Sequence, residues 1–381
     1  MARKFRTFAK VFLITLNIIV ALFYLLACLA PYLNPYRWWF ISLLGLFFSF
    51  LFFLLLFSVL FWLFIRVRYA LPFLIVLLLG WKSIMVSFAF HVSANFNYER
   101  QPQTLRIVTW NVARFVEIIK NNNKGSQVRL KMMELLKQQN ADILCLQEFH
   151  TATRSDYYDN ITFITRELNY PYHYFSWDED GVGIYYSSII FSRLPIIDTG
   201  KIKYPLPSLP EALLHADIKF GTDTIRIFTS HLQSVQFNQL DYARIDRITN
   251  YEDSILPNSR DIFSKIKAGL RYRSLQAKLI KKMINASPHP VIFCADFNDV
   301  PNSFTYHTVR GDMQDGFLQK DFGIGRTFTA LSPTLRIDYI LASDQFSFLQ
   351  FNRVTKRYSD HFMLVADLQL KPRSRQAGAT H

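Results

Sequence analysis

Several short apolar runs after residue 105 end on side chains that can bind metal ions or move protons. The endings are Asn111, Glu148, His231, Asp296 with Asn298, Asp338, and Asp360 with His361. A single ending of this kind is ordinary turn chemistry, because Asn and Asp side chains bond the backbone of turns. Repetition of the pattern along one segment indicates instead that the runs carry these residues to a shared rim.

This set of side chains suits metal-assisted attack of water on phosphorus. A hard divalent cation such as Mg²⁺ takes oxygen ligands from one or two carboxylates, and Glu148 with Asn111 offers such ligands. A second carboxylate can orient or deprotonate the water, and imidazoles or amides can bond the phosphoryl oxygens. Zinc would call for cysteines or closely spaced histidines, whereas Cys145 and Cys294 lie in separate apolar runs and are expected to be buried free thiols.

The runs that carry these residues have the pattern of β-strands. Strands are expected at 105–110, 141–147, 183–192, 213–220, 224–230, 290–295, 335–342 and 362–370, and helices at 127–139, 157–168 and 271–286. Closely spaced strands such as 213–220 and 224–230 indicate antiparallel pairing. The pattern therefore predicts an α/β sandwich rather than a doubly wound parallel sheet. Residues 234–270 fit this scheme poorly and are expected to be an insertion, and the basic tail 371–381 is expected to be disordered.

The N-terminal part of the chain has the composition of a membrane anchor. No Asp or Glu precedes Glu99, and apolar segments occupy 11–30, 38–65 and 69–90. Each reaches the roughly 20 residues that a helix needs to cross a bilayer. We therefore expect an α-helical transmembrane region over 1–92 and a linker over 93–104. Residues 99–381 carry 35 of the 43 Lys and Arg against all 29 acidic residues, a net charge of +6.

The distribution of basic residues predicts the orientation in the membrane. Lys and Arg cluster at 3–10 and at 66–68, whereas the loop between the first two spans carries only Arg37. By the positive-inside rule the N-terminus is cytoplasmic, and three crossings place the rest of the chain on the extracytoplasmic side. The sequence "LLAC" ending at Cys28 also resembles a lipoprotein processing site, which would leave the soluble part outside as well.

The ordered series WN, QE, SHL, DFN, RIDY and SDH resembles the endonuclease/exonuclease/phosphatase superfamily, over residues 105–370. The resemblance implies a four-layer α/β sandwich, with two packed, largely antiparallel mixed sheets flanked by helices. It also implies a phosphoesterase that depends on Mg²⁺ or Mn²⁺.

The resemblance carries the family's metal-binding roles to three residues. Glu148 would be the principal metal ligand, Asn111 a metal or phosphate contact, and Asp360 would lie close to the metal. Three departures accompany the match, and one of them is that "SDHFML" lacks the proline that usually follows the SDH segment. Ala113 stands where the apurinic endonucleases have a second acid, which argues against a DNA-repair enzyme, and Ala295 replaces the glycine that commonly precedes DFN.

The same resemblance implies the catalytic roles. Asp296 would position or activate the attacking water, with Asn298 orienting the water or the phosphate. His231 would bind the phosphoryl oxygens, while Asp338 would hold the imidazole of His361 on the scissile phosphate.

The favoured function is that of a membrane-anchored hydrolase of phosphodiester or phosphomonoester bonds. A lipid head group suits a domain held near the bilayer by a short linker, so the bilayer and a phosphoester are the expected partners. An extracytoplasmic nuclease is the alternative, because a basic run could follow a phosphate backbone, although it also fits a solvated helix face; the run comprises Arg271, Arg273, Lys278, Lys281 and Lys282. A non-catalytic membrane scaffold on the same fold is the alternative of another class, disfavoured because every catalytic position is filled.

Overall fold

The structure is a computed structural model that describes residues 2–92, 95–120, 127–205, 212–235 and 255–372. The chain separates into two compact units. The first unit comprises Met1–Phe88, Leu232–Lys281 and Phe297–Gly311, and the second comprises Ala89–His231, Lys282–Asp296 and Asp312–His381. Of the expected insertion, residues 236–254 lie outside the described residues, as do residues 373–381 of the expected tail.

The first unit begins with five consecutive helices. They are α1 (Ala2–Cys28), α2 (Pro35–Leu46), α3 (Phe48–Ile65), α4 (Val67–Leu79) and α5 (Trp81–Ser87). By length and composition, α1 and α3 are apolar enough to cross a membrane, and α4 with α5 could form a third span that is bent by 62°. The length and the apolar composition of these helices are consistent with the predicted membrane association of this region.

Two glycines mark the breaks between these helices. At Gly45, near the end of α2, a Cβ atom would come within 2.7 Å of the carbonyl oxygen of Asn302. At Gly80, between α4 and α5, a Cβ atom would collide with the hydroxyl group of Tyr24, which donates a hydrogen bond to the carbonyl of Leu77. The neighbouring atoms leave no room for a side chain at either position. Residues 38–65 form two helices with a break at Phe47 instead of the single span that the sequence predicts.

The strands of the second unit form two mixed six-stranded sheets among the described residues. Their orders are β10-β12-β9-β8-β7-β6 and β13-β14-β2-β3-β5-β4, and a small third sheet pairs β1 with β11. The strands are β1 (Ala89–Phe90), β2 (Thr104–Asn111), β3 (Ile143–Ala152), β4 (Tyr172–Phe175), β5 (Ile184–Ser192), β6 (Ile196–Lys203), β7 (Ala212–Phe220), β8 (Asp223–His231), β9 (Val291–Asp296), β10 (Gln314–Asp315), β11 (Phe322–Gly323), β12 (Asp338–Ala342), β13 (Phe346–Val354) and β14 (Met363–Leu370).

The remaining described helices are α6 (Val128–Gln139), α7 (Asn160–Glu167), α8 (Ile255–Asn285), α9 (Phe304–Arg310) and α10 (Gly316–Lys320). Alternation along the central strands builds the layers. Ile107 of β2 packs in the core between the sheets with Ile227 and Ile292, whereas Val108 and Trp110 pack on the opposite face with α6. Two mixed sheets flanked by helices result, and the predicted α/β sandwich is confirmed.

Strands β4, β6 and β13 and the start of helix α8 were not predicted, because their residues lack a clear hydrophobic periodicity. At least half of the positions in these three strands are half-buried, with no buried residue in β6 and no exposed residue in β13, so neither alternation nor a continuous apolar run identifies them. Helix α8 begins at Ile255 rather than at residue 271. Pro257 lies in its first turn, where a helix tolerates proline because the backbone N–H there has no partner within the helix.

Candidate active site

Three candidate residues lie side by side at the edge of one sheet. Strands β8 and β9 are parallel with His231 opposite Asp296, and antiparallel β12 places Asp338 opposite Asp296. The three side chains are almost completely buried. Hydrogen-bonded register, rather than a turn, therefore brings these polar groups together.

Asn111 connects this row to the other sheet. It ends β2, and its amide nitrogen donates one hydrogen bond to Glu148 Oε1 at 3.1 Å and another to Asp296 Oδ2 at 3.0 Å. The amide oxygen accepts from the backbone N–H of Ala113 at 3.0 Å, which fixes the orientation of the amide. Because a nitrogen donor faces the carboxylates, Asn111 orients them in this arrangement and would ligate a cation only after turning its amide.

Glu148 reaches the site through an irregularity in its strand. The pairing of β3 with β5 shifts register between Leu146 and Phe149, and Glu148 has a left-handed φ of +48°. Such a bulge redirects a side chain out of the ladder. The carboxylate is 28% exposed, and its Oε1 lies 3.7 Å from Nε2 of His231, which is 3.6 Å from Asp296 Oδ2. Glu148 is thus the solvent-facing member of a pair of converging carboxylates.

Asp338 and His361 form a buried pair. The Nδ1 atom of His361 lies 2.9 and 3.1 Å from the two carboxylate oxygens of Asp338, and its Nε2 lies 3.7 Å from Asp296 Oδ2. Burial by itself lowers the pKa of His361, but the charges of Asp338 and Asp296 outweigh burial and raise this pKa to about 10. The ring is therefore a cation at neutral pH, with Nδ1–H donating to Asp338 and Nε2–H directed toward Asp296.

Asp296 is the centre of the arrangement. Burial and the neighbouring charge of Asp338 raise its pKa, against the opposing effects of His361, His231 and the hydrogen bond from Asn111. The raised pKa brings the carboxylate closer to the range in which it can accept a proton from water.

The oxygen donors of the site fit a hard divalent cation. Among the described residues, one group of three brings metal-ligating atoms within 4.8 Å of one another, and it consists of Asp296, Asp338 and His361; its two carboxylates, rather than the protonated ring of His361, offer ligand atoms to a cation. The carboxylate of Glu148 lies close to this group, because the amide nitrogen of Asn111 donates to both Glu148 and Asp296. The partly exposed carboxylate of Glu148 offers the oxygen ligands that a hard divalent cation prefers.

Three further residues hold the ends of the strands in place, and the sequence analysis did not single them out. Ser359 donates to the carbonyl of Asn111 at 2.8 Å, and the indole N–H of Trp110 donates to the carbonyl of His361 at 2.9 Å. The hydroxyl oxygen of Thr327 accepts from the backbone N–H of Asp338 at 3.1 Å. Trp110 and Ser359 were visible as members of the WN and SDH motifs, whereas nothing in the sequence around Thr327 indicates its role.

A buried polar bridge between the two sheets was also missed. The amide nitrogen of Gln147 donates to Thr229 at 3.0 Å and to Thr109 at 3.1 Å, and all three side chains are buried. Satisfied buried polar groups of this kind specify how two layers align. The available signal was a polar residue inside each of three apolar runs, "IVTW", "LCLQ" and "IFTS".

The two remaining candidate residues, Asp360 and Asn298, lie outside the row formed by His231, Asp296 and Asp338. Asp360 is exposed, and its carboxylate accepts from the hydroxyl of Ser359 at 3.2 Å. Asn298 belongs to the first unit, where its amide donates to the carbonyl of Leu232 at 2.9 Å and its φ is +51°. Asn is among the residues that tolerate this left-handed conformation best, so the turn role of Asn298 is physically real.

Comparison with known proteins identifies related sequences and folds. The sequence model of the Endonuclease/Exonuclease/phosphatase family matches residues 108–361, and a model for a domain of unknown function matches residues 9–87. No curated protein shows a significant match.

Similar solved structures are of low identity. An endonuclease/exonuclease/phosphatase from Beutenbergia cavernae is 17% identical, with a TM-score of 0.49 over 71% of this chain and 72% of that one. The catalytic domain of human nocturnin, solved with bound sulfate, is 16% identical, with a TM-score of 0.48 over 72% of this chain and 97% of that one. A family protein from Bacteroides thetaiotaomicron is 16% identical, with a TM-score of 0.45 over 71% and 96%.

Proposed function

Because the chain belongs to the endonuclease/exonuclease/phosphatase family, whose members hydrolyse phosphoester bonds, we propose that it is a membrane-anchored phosphoesterase that uses a divalent metal ion, Mg²⁺ or Mn²⁺, to hydrolyse phosphodiester or phosphomonoester bonds. A lipid head group is the proposed substrate class. The observation that carries the proposal is the buried carboxylate of Asp296, which lies between the donors of Asn111, His231 and His361.

Asp296 is the proposed base for the attacking water. Its carboxylate is fully buried, and hydrogen bonding from Asn111 fixes the position of one oxygen. The raised pKa suits acceptance of a proton from water, and general-base catalysis of this kind contributes about 10²–10⁴-fold to a rate.

His361 and His231 are the proposed donors to the phosphoryl group. The carboxylate of Asp338 holds the ring of His361 through Nδ1, and the Nε2–H, which lies on the side of Asp296, is proposed to donate toward charge that develops on phosphoryl oxygens. The Nε2 atom of His231 lies within 3.7 Å of two carboxylates, at the same rim. Preorganised donors stabilise a transition state because they need no rearrangement during the reaction.

Glu148 is proposed to hold the cation, next to the carboxylate of Asp296 that handles the water. When bound, a hard divalent cation would polarise the phosphoryl group and lower the pKa of a bound water. Asn111 holds both carboxylates at the site by donating to each, and the partial exposure of Glu148 leaves a ligand atom accessible from solvent.

The membrane part of the proposal rests on the apolar helices. Helices α1 and α3 can each cross a bilayer, and the basic residues at 3–10 and 66–68 favour a cytoplasmic N-terminus with the catalytic residues on the extracytoplasmic side. A catalytic domain held at a bilayer meets lipid head groups at high effective concentration.

The basic run of α8 gives little support to the nuclease alternative. Arg273 is buried, where it donates to the carbonyl of Gln233 at 2.9 Å and pairs with Asp299 at 3.3 Å. The guanidinium of Arg271 lies 5.2 Å from the ring centre of Tyr36. Because these two arginines serve the packing of the first unit, the run offers fewer charges to a phosphate backbone than its sequence indicates.

The experiment is a substrate panel with the full-length protein purified in a non-ionic detergent. Phospholipids, sphingomyelin, inositol phosphates, DNA and RNA are incubated with Mg²⁺, and released phosphate or head group is measured beside the Asp296→Asn variant. We expect turnover of a lipid phosphoester that the variant lacks. Turnover of nucleic acid alone would support the nuclease, and folded protein without turnover of any class would support the scaffold.

A further inference from the structure

The first unit contains a pocket that none of the proposed catalytic residues lines. It has a volume of about 380 Å³ and lies among α5, the turn that follows α1, and α9. Its polar and aromatic lining comprises Tyr32, Trp81, Lys82, Tyr306, His307 and Arg310.

The lining of this pocket concentrates positive charge. Lys82 comes from α5 and Arg310 from the end of α9, and no carboxylate is among the described residues that line the pocket. Burial, followed by the charges of Arg310 and Lys82, lowers the pKa of His307, which lines the same pocket as both cations. The pocket therefore suits an anion that can accept hydrogen bonds from several donors.

Hydrogen bonds and ring packing fix the walls of the pocket. The amide nitrogen of Asn302 donates to the carbonyl of Ala27 at 2.9 Å, in a buried contact that holds the segment before α9 against the end of α1. The rings of Tyr32 and His307 pack edge to face with their centres 5.0 Å apart. The hydroxyl of Ser303 caps α9 by accepting from the backbone N–H of Tyr306. A site fixed in this way loses little conformational entropy when a ligand binds.

The rim of the pocket is aromatic and apolar as well as basic. Trp81 is 58% exposed and Tyr32 is 51% exposed, and Met85 also lines the pocket. Trp81 and Lys82 directly follow the 62° bend that ends the apolar helix α4. Exposed tryptophan and tyrosine next to apolar helices are typical of the level of lipid head groups. A ligand for this pocket should therefore combine an anionic head with apolar chains.

We propose that this pocket binds the phosphate-bearing head group of an anionic phospholipid, with the phosphate between Lys82 and Arg310 and the acyl chains beside Trp81 and Tyr32. Bound lipid would link α1, α5 and α9, three elements that are far apart in the sequence. The proposal concerns binding only, and it holds whether or not the chain hydrolyses lipids.

The test is a binding titration of full-length protein in a neutral detergent. The Asp296→Asn variant serves as the background, so that turnover does not consume the ligand. Short-chain phosphatidylglycerol is added, and the melting temperature is followed, because a ligand that binds only the folded state stabilises it. A cation near an anionic lipid contributes about 1 kcal/mol, so Lys82→Ala should weaken binding about fivefold and Lys82→Ala with Arg310→Ala about 30-fold.

Two controls define the site and the source of the phosphate. Lys278→Ala removes one charge from an exposed position of the same unit that does not line the pocket, and it should bind as tightly as the background. Inorganic phosphate and glycerol phosphate should stabilise the protein far less than the lipid. Equal stabilisation by inorganic phosphate would overturn the lipid assignment. Absence of stabilisation by the lipid, or equal affinity of the folded Lys82→Ala and Lys278→Ala variants, would overturn the site.

Discussion

Replacing Asn111 by Asp tests whether the carboxylates of the site converge on a metal position. The substitution changes an amide nitrogen that donates to Glu148 at 3.1 Å and to Asp296 at 3.0 Å into a third carboxylate oxygen. Hydrogen bonds to charged groups are each worth about 1.5–3 kcal/mol, so the loss of both costs about 3–6 kcal/mol of unfolding free energy. At ~2 °C per kcal/mol for a large domain, the melting temperature should fall by about 6–12 °C.

The matched control is Asn111→Ala, which removes the same two hydrogen bonds without adding a charge. At pH 8 without divalent metal, Asn111→Asp should be the less stable of the two. In Asn111→Asp, repulsion should raise the folded-state pKa of the new carboxyl group above its value in the unfolded chain, and a raised carboxyl pKa destabilises the folded state most at pH values above it. With saturating Mg²⁺ the order should reverse, because the added carboxylate then faces a cation.

This effect is measured as the melting temperature of each variant, followed by intrinsic fluorescence in EDTA and in Mg²⁺. The reasoning would be refuted if the two variants melted together under both conditions. That result would mean that no cation occupies the space between Glu148 and Asp296, and that the amide of Asn111 has a purely structural role.

Three further predictions concern the Asp338–His361 pair, the metal and the membrane. Asp338→Asn should lower kcat by about 10²–10⁴-fold with little change in KM. Its effect should combine less than additively with that of His361→Ala, because both residues act on one transition state, and additive losses of kcat would show that the two residues act independently. Glu148→Gln should raise the Mg²⁺ concentration for half-maximal activity, and activity that survives both this change and EDTA would remove the metal from the mechanism. A reporter fused after Leu370 should be active only in its outward-reporting form, and a signal from a cytoplasm-only reporter would reverse the topology.

The positions of the core strands could be predicted because their apolar runs are continuous. Strands β2, β8 and β9 are buried along almost their whole length, and polar residues stand at their ends. A chain can hold Asp296 at the end of such a strand only where partners satisfy it, so the sequence pattern already pointed to a shared rim.

The contacts that define the site depend on residues far apart in the chain, and local pattern could not supply them. The bulge that turns Glu148 outward comes from its pairing with β5, and the hydrogen bond of Asn111 to Asp296 joins residues on different sheets. Pattern thus indicates which residues end the strands, while register decides which of them meet.

The central claim is that Asp296 activates water at a metal-dependent phosphoesterase site, and the Asp296→Asn variant tests it most directly. The amide that replaces the carboxylate has nearly the same shape and can still accept from Asn111, so the melting temperature in EDTA should change little. The control, Asp156→Asn, alters an exposed carboxylate that pairs with Arg154.

The measurement is kcat on the best substrate of the panel, for folded protein of each variant at saturating Mg²⁺. The account predicts a fall of about 10²–10⁴-fold for Asp296→Asn and an unchanged kcat for Asp156→Asn. Full specific activity of Asp296→Asn, accompanied by a loss of stability, would contradict the account and leave Asp296 with a structural role at the end of β9.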